Sequence, residues 1–450
     1  MTSSTRDDME SETATQETDA ASGPQRKALE INLDPSSYGT FAEIGAGQEV
    51  ADWFLRAGAA SGTVAQTICA YDKAFSDERY GQGTRYVSRE RLLAMLEREY
   101  QTLETQLRAS RGPEVRFFAF ADTVAARSFR GDNEQHGWVG LRFQAAVGAK
   151  PSDILLHVAL RDRTVEMQRS ALGILGVNLV HVVFRQKTEP APFLASVFEG
   201  LSLDRLEIDV IELTGPAFDG QDSRLWCLEA LRLGLARALL FDATGRPDQP
   251  STVLRKRSLI VEGSDGGAEA VDPRTLVAAA FAQLDREERP ELKPMLLLDV
   301  RLQSLTSTGA DAATVGDRLR RLAARAPIIV TDQSVLHPVV EYLRRYTSGP
   351  IRMVTSVAVF ADLMSGTYET LPGALLESLG KLLVEDVRLY IHPVPVRAFQ
   401  EARAKDPRRR VNASPSGRSV TLDDLGCEPP LDHLLHYLRG AGWLVPLDLP

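Results

Sequence analysis

From residue 27 onward the chain alternates short apolar runs with polar breaks that carry glycine and proline. "KALEINLD" (27–34) places Leu29, Ile31 and Leu33 at every second position and predicts a strand, closed by a Pro-Ser-Ser-Tyr-Gly turn. "GTFAEI" (39–44) predicts a second short strand, and Val50, Ala51, Phe54 and Ala57 recur at helical spacing over 48–57. "TVAQTICAYD" (63–72) fits either a strand or a helix that starts at the Ser61-Gly-Thr turn. Over 88–107 the pattern is helical: Ser88 is a capping residue, and Leu92, Met95, Leu96, Tyr100 and Leu103 form one face.

Three apolar runs follow at short intervals, 114–126, 137–145 and 153–160, which predicts an antiparallel meander. Residues 163–184 read as a mostly apolar, buried helix. From 205 to about 395 strands and helices alternate, from "LEIDVIEL" through "SLIVEG", "MLLLDVRL", "PIIVTD" and the continuous run "IRMVTSVAVF" to "VRLYIHPV". Such alternation predicts a mainly parallel sheet with covering helices. The fold class is therefore α/β. A mixed N-terminal lobe (27–200) contains the meander, and an alternating C-terminal lobe spans 201–400. Residues 401–450 read as a linker and a terminal helix that docks through Leu434, Leu435 and Leu438. Residues 1–26, polar and acidic with almost nothing to bury, read as a disordered tail.

Composition narrows the function classes. A formal charge of -9 and a pI near 5.5 argue against a broad nucleic-acid surface, which needs clustered Lys and Arg. Cys69, Cys227 and Cys427 lie far apart with no CxxC, as suits a reducing compartment, and they build neither a disulfide framework nor a zinc knuckle. The most apolar stretch, 171–184, falls short of the ~20 residues that span a bilayer and contains Asn178 and His181. The expectation is a soluble, cytoplasmic protein.

Candidate chemistry concentrates in 39–144. In "GTFAEIGAGQEVADWFLRAG" a strand ending in Glu43 runs through Gly45 and Gly47 into a helix, the context of a nucleotide-binding turn. Val50 stands where the third glycine of that motif belongs, and Asp72 lies at the distance of a ribose-binding carboxylate. Glu49 at the helix start opposes an anion there. The alternative is a purely structural connection. In "NEQHGWVGLRFQ" (133–144), His136 is a candidate general acid or base, and Arg142 a candidate phosphate or carboxylate ligand on the face of Trp138 and Gly140. Asp122 joins them if its strand pairs with 137–145. His433 and His436 share one helix face, but no acidic or cysteine partner can be assigned to them as metal ligands. No phosphate loop, HExxH or GxSxG motif occurs.

The blocks "ALEINLDPSSYGTFAEIGAGQEVADWF", "ASGTVAQTICAYD", "HGWVGLRFQ" and "ALGILGVNLV" resemble a family of uncharacterised bacterial proteins, over residues 27 to about 390. Its members often carry the label nicotinate-nucleotide adenylyltransferase or TonB-dependent receptor. The residues match neither: "QHGW" and "SLTSTGAD" lack the second histidine and the arginine of adenylyltransferase motifs, and the signal peptide and long barrel pattern of a receptor are missing. The resemblance implies a bacterial cytosolic protein with a distinctive glycine motif. "AEIGAG" is also similar to the first motif of S-adenosylmethionine-dependent methyltransferases, with Gln48 and Glu49 in place of its small residue and glycine.

Two functions fit these residues. One is a small-molecule enzyme or ligand-binding protein that holds an anionic, nucleotide-like ligand at the Gly45–Gly47 turn; as an enzyme it would be a transferase. The other is a non-catalytic assembly or regulatory protein that offers the same surface to a protein partner.

Overall fold

A computed structural model describes residues 23–45, 48–111, 113–263, 272–287, 292–306, 311–333, 335–366, 371–404 and 410–449. The protein is α/β, and its contacts divide it into two units, 1–236 and 237–450.

The first unit is built on a six-stranded sheet of order β2-β1-β3-β4-β5-β6. Its strands are β1 (Ser37–Ile44), β2 (Val64–Ile68), β3 (Arg116–Ala125), β4 (His136–Phe143), β5 (Ser152–Leu160) and β6 (Leu206–Thr214). β1 runs parallel to both β2 and β3, and β3 to β6 form an antiparallel meander. "LEIDVIEL", expected to open the C-terminal lobe, is thus the last strand of this sheet. Helices cover both faces: α1 (Gly23–Asn32), α2 (Glu49–Arg56), α3 (Lys73–Tyr80), α4 (Arg89–Arg111), α5 (Val165–Arg185), α6 (Pro190–Val197) and α7 (Ser223–Arg232).

Alternation along the strands separates two cores. On one face Leu92, Met95, Leu96 and Tyr100 of α4 pack on Tyr38, Ala42, Phe117, Ala119, Trp138, Leu155 and Val210. On the other, Phe41 meets Phe54 of α2 and Phe118, with ring centroids 4.9 and 5.6 Å apart. Helices α2 and α5 approach closely there: a Cβ on Gly176 would lie 2.3 Å from Val50. α5 is long and apolar enough to cross a membrane by length and composition, with mean hydropathy 1.3, and 61% of that window is buried within the fold.

The strand expected at 27–34 is helix α1 instead. Its buried residues, Lys27, Ala28, Ile31 and Asn32, make a helical stripe, whereas Leu33 of the apparent alternation is exposed. Lys27 fixes the docking by donating to Asn178 of α5 and to Glu199, each at 2.8 Å. Residues 23–26, expected in the tail, form the first turn of α1; residues 1–22 lie outside the described residues. The ambiguous 63–72 segment resolves as β2 followed by the cap of α3.

The second unit holds a seven-stranded sheet. Its strands are β7 (Leu239–Phe241), β8 (Ser258–Gly263), β9 (Pro294–Arg301), β10 (Ile328–Thr331), β11 (Ile351–Ser356), β12 (Val387–His392) and, after four short strands, β17 (Leu444–Pro446). The short ones are β13 (Val394–Pro395), β14 (Val411–Ala413), β15 (Ser419–Val420) and β16 (Leu425–Cys427), which pair as two small ribbons. The order β17-β12-β11-β8-β9-β10-β7 is parallel except for β7 at one edge. The chain lays strands outward from β8 on one side, then returns beside it as β11, so the sheet is doubly wound. Leu259 and Val261 face one core and Ile260 the other, the both-sides burial expected of parallel strands.

Two expectations for this unit change. "IRMVTSVAVF" is not one strand: Ser356 ends β11, and its Oγ accepts the Val359 N–H at 3.2 Å, starting helix Val357–Met364. An all-apolar run hides that boundary, because strand and helix there are both buried. The expected linker begins inside helix Val396–Ala404 and continues into the ribbons, with residues 405–409 outside the described residues. Helix Leu431–Gly440 docks through Leu435 and Leu438, with Leu434 partly buried beside them.

Replacing Ser356 by alanine removes the cap between β11 and its helix. The expected loss is about 1 kcal/mol, read as a lower urea midpoint at unchanged slope. An unchanged midpoint would mean that the hydroxyl is dispensable there.

Candidate functional site

The glycine turn after β1 is closed by the protein itself. Glu43, the second-last residue of β1, is buried, and its carboxylate accepts the backbone N–H groups of Gln48 at 3.2 Å and of Val50 and Ala51 at 3.0 Å. These are the donors at the start of α2 that an anionic ligand would have used. Gly45 has φ +102°, and a Cβ there would lie 1.8 Å from the Val124 carbonyl oxygen of β3. Glycine is required because the turn lies directly on β3. Gly47 lies outside the described residues. Glu49, placed awkwardly for an anion, is paired with Arg169 of α5 at 3.1 Å.

Asp122 is Glu43's register partner across β1 and β3 and is buried as deeply. One oxygen accepts the Ile44 N–H at 3.2 Å, and no described residue hydrogen-bonds the other. Burial, then the neighbouring Glu43 charge, push the Asp122 carboxyl well above the ordinary range, against the Ile44 hydrogen bond. Burial also raises Glu43, opposed by its three backbone donors and assisted by Glu49. Two carboxyls thus stand side by side at the carboxyl ends of neighbouring parallel strands. The Cys69 thiol, just beyond β2, is pushed up by burial and by both acids.

His136 belongs to a different constellation. The expected pairing of β3 with β4 is present, with Ala125 opposite His136. Asp122 is three residues from Ala125, which puts it on the opposite face of the sheet from His136. On its own face His136 Nδ1 lies 3.0 Å from His157 Nε2 on β5, and His157 Nδ1 lies 2.5 Å from Asp209 Oδ1 on β6. His157 and Asp209 are buried and His136 is half-buried, so the chain runs from the core outward. The Trp138 ring stands edge-on to His157, with centroids 5.1 Å apart.

A β-bulge makes this alignment possible. His157 pairs with Val210 and Val158 with Ile208, which leaves Asp209 as an extra residue in β6. Val210 packs in the α4-side core, and the extra residue lets Asp209 reach His157 on that same face. The hydrogen-bond order follows. The Asp209 carboxylate accepts from His157 Nδ1–H, so His157 Nε2 is bare and accepts from His136 Nδ1–H. The His136 proton-accepting atom is then Nε2. Burial above all pushes the His136 imidazole down to about 4; a positive charge on His157, whenever it is protonated, adds to the fall, Asp209 opposes it and Arg85 adds a little more, so His136 is neutral at pH 7. Sequence reasoning missed His157 and Asp209: His157 is a single polar residue in the apolar run 154–160, while Asp209 is one of three acids interspersed with apolar residues in β6 and stands out by nothing local.

Arg142 and Asp72 have structural partners. Arg142 makes a two-pronged pair with Asp153 at 2.7 and 2.9 Å and also meets Glu97 of α4, at the end of β4 away from His136. Its guanidinium is thereby committed to the fold. Asp72 caps α3, its Oδ1 accepting the N–H groups of Ala74 at 2.9 Å and Phe75 at 3.4 Å. It also lines a cleft of ≈ 580 Å³ at the carboxyl end of β2. The structure therefore brings together Glu43, Gly45 and Asp122, and leaves His136, Arg142 and Asp72 each elsewhere. His436 Nδ1 bonds the Asp432 carbonyl oxygen of its own helix at 2.9 Å.

No family model matches the chain, and no curated protein matches it. Among solved structures, the competence/damage inducible protein CihA from Agrobacterium tumefaciens is similar at 20% identity and a TM-score of 0.27, over 36% of this chain and 96% of that one.

Two tests address the turn and the acid pair. Gly45→Ala forces a side chain onto the Val124 carbonyl at a left-handed φ, with an expected loss of about 3 kcal/mol or more in a urea titration. The raised Asp122 carboxyl favours folding fully below the ordinary aspartate range near 4, and that contribution is lost as pH rises toward the raised value. Asp122→Asn should therefore gain in melting temperature relative to the parent as pH rises above the ordinary aspartate range near 4. A gap that does not change with pH would show that Asp122 titrates normally. The lowered His136 has the opposite sign: its contribution is present above about 6.5 and lost as pH falls through about 4.

Proposed function

We propose that the first unit is a small-molecule enzyme that transfers a proton through His136, with His157 and Asp209 as the relay behind it. The observation that carries this reading is the hydrogen-bonded line Asp209–His157–His136, assembled from three adjacent strands and reaching from the core to a half-buried imidazole. When His136 takes a proton at Nε2, it can pass its Nδ1 proton to His157, and the new charge comes to rest beside the Asp209 carboxylate. A base backed in this way gains more from the developing positive charge than an isolated imidazole does. Arg85, exposed and near enough to weigh on His136, favours an anionic substrate. That anion is read beside His136 rather than at the start of α2, whose donors Glu43 already occupies. A bacterial cytoplasmic setting accords with the scattered cysteines and the family resemblance.

A partner-binding regulatory protein is the second reading, favoured by Phe129, which stands fully exposed in the loop before His136. The experiment that separates the two is a thermal-shift screen of small carboxylates, phosphates and nucleotides on the full chain, followed by turnover measurements on every compound that binds. The enzyme reading expects an anionic compound whose turnover falls about 100-fold or more in His136→Gln and by a smaller factor in Asp209→Asn. Turnover that is equal in His136→Gln, or binding without any turnover, overturns it.

A further inference from the structure

The first unit also carries a cleft that shares no residue with the Asp209–His157–His136 line. The cleft of ≈ 580 Å³ at the carboxyl end of β2 is lined by Cys69, Tyr71, Asp72, Phe75, Arg79 and Arg98 among others. Its volume lies in the range of small-molecule sites. It opens outside the carboxyl end of a parallel strand, where ligands of open α/β sheets bind.

Two features of the lining are unexplained by folding. Tyr71 and Phe75 are 73% and 69% exposed, and both border the cleft. A phenylalanine in the first turn of a surface helix contributes nothing to the core when two-thirds of it faces water; a polar residue would serve the helix as well. The polar groups, by contrast, are fixed in advance. Asp72 is held by the cap, which uses Oδ1 for both N–H groups, so Oδ2 takes no part in it. Arg79 is clamped flat by Glu99 through bonds of 2.6 and 2.8 Å. Arg98 is exposed at the cleft.

Charge decides what these groups read. Asp72 and Glu78 face Arg79 and Arg98 in the lining, and Glu99 already neutralises Arg79, so the cleft holds no surplus of positive charge for a phosphate. Exposed rings and a preset carboxylate instead suit a planar heteroaromatic ring that carries hydroxyl or amino donors. We propose that this cleft binds a nucleoside-like ligand, its ring stacked on Tyr71 and Phe75 and its hydroxyl or amino groups bonded to Asp72. The site is separate from the His136 relay and goes beyond the function proposed above.

The exposed Cys69 thiol in the lining supplies the readout. On the full-length protein, the rate of Cys69 modification by 5,5′-dithiobis(2-nitrobenzoate) is followed by peptide mass spectrometry with adenosine or adenosine monophosphate at up to about 10 mM. The expected result is that adenosine slows modification, and that Tyr71→Ser and Phe75→Ser each raise the concentration required by about tenfold. Both side chains are exposed, so the variants should fold, which circular dichroism checks. Adenosine monophosphate should protect no better than adenosine, and His136→Gln should leave protection unchanged. Three results overturn the proposal: no protection by adenosine, protection indifferent to both serine variants, or protection by the monophosphate about tenfold stronger and lost in Arg98→Gln, which would make the cleft a phosphate site.

Discussion

The first unit is organised around one carboxylate. Glu43 ends the buried part of β1 and holds the start of α2 by three backbone hydrogen bonds, so strand, turn and helix are joined by a single side chain. That bond set fixes where α2 leaves the sheet, and hence how α2 meets α5 at Gly173 and Gly176. In the β1–β3 ladder Glu43 stands beside Asp122. Helix N-termini attract anions because their first N–H groups lack partners. Here the chain supplies its own anion, from a residue five to eight positions upstream of the donors. A turn with the outline of a nucleotide site is thereby converted into a joint.

Such a joint carries an electrostatic cost that the fold does not relieve. Asp122 sits across from Glu43 with one hydrogen bond, and its other oxygen meets no donor among the described residues. Two buried carboxylates at neighbouring strand positions do not both ionise cheaply, and the protein accommodates them by keeping Asp122 toward its protonated form. The Glu43 charge is the better supported of the two, since it has three donors to Asp122's one. The asymmetry follows from geometry: Glu43 is aimed along the axis of α2, Asp122 only at the adjacent strand.

How far the sequence could be read depended on whether an interaction was local. The α4 face, the Ser88 cap and the β3–β4 pairing are written in spacings of a few residues and are found where the pattern puts them. Elements that failed did so where two periodicities overlap: α1 is too short for Leu29, Ile31 and Leu33 to tell a helix from a strand, and the β11–helix junction is apolar throughout. Gly45 and Glu43 were visible as candidates, but the sequence does not say that the acid points forward into the helix. The His136 chain lay deeper still. His157 is 21 residues from His136, and Asp209 is 52 residues from His157, and the two contacts exist only in one register with one extra residue in β6.

That bulge is the feature that places Asp209 beside His157. In a regular β6, Ile208 and Val210 would lie on one face and residue 209 on the other. The register shift places Ile208 opposite Val158 and Val210 opposite His157, and those two β5 residues face opposite sides, so Asp209 is released to the face that bears His157. The displacement buries a carboxylate beside an imidazole, an arrangement that the packing of Trp138, Leu155 and Val210 around it does not need for its own stability. The irregular strand and the buried charge together suit the role proposed for the Asp209–His157 pair behind His136, the one member of the line that reaches toward solvent.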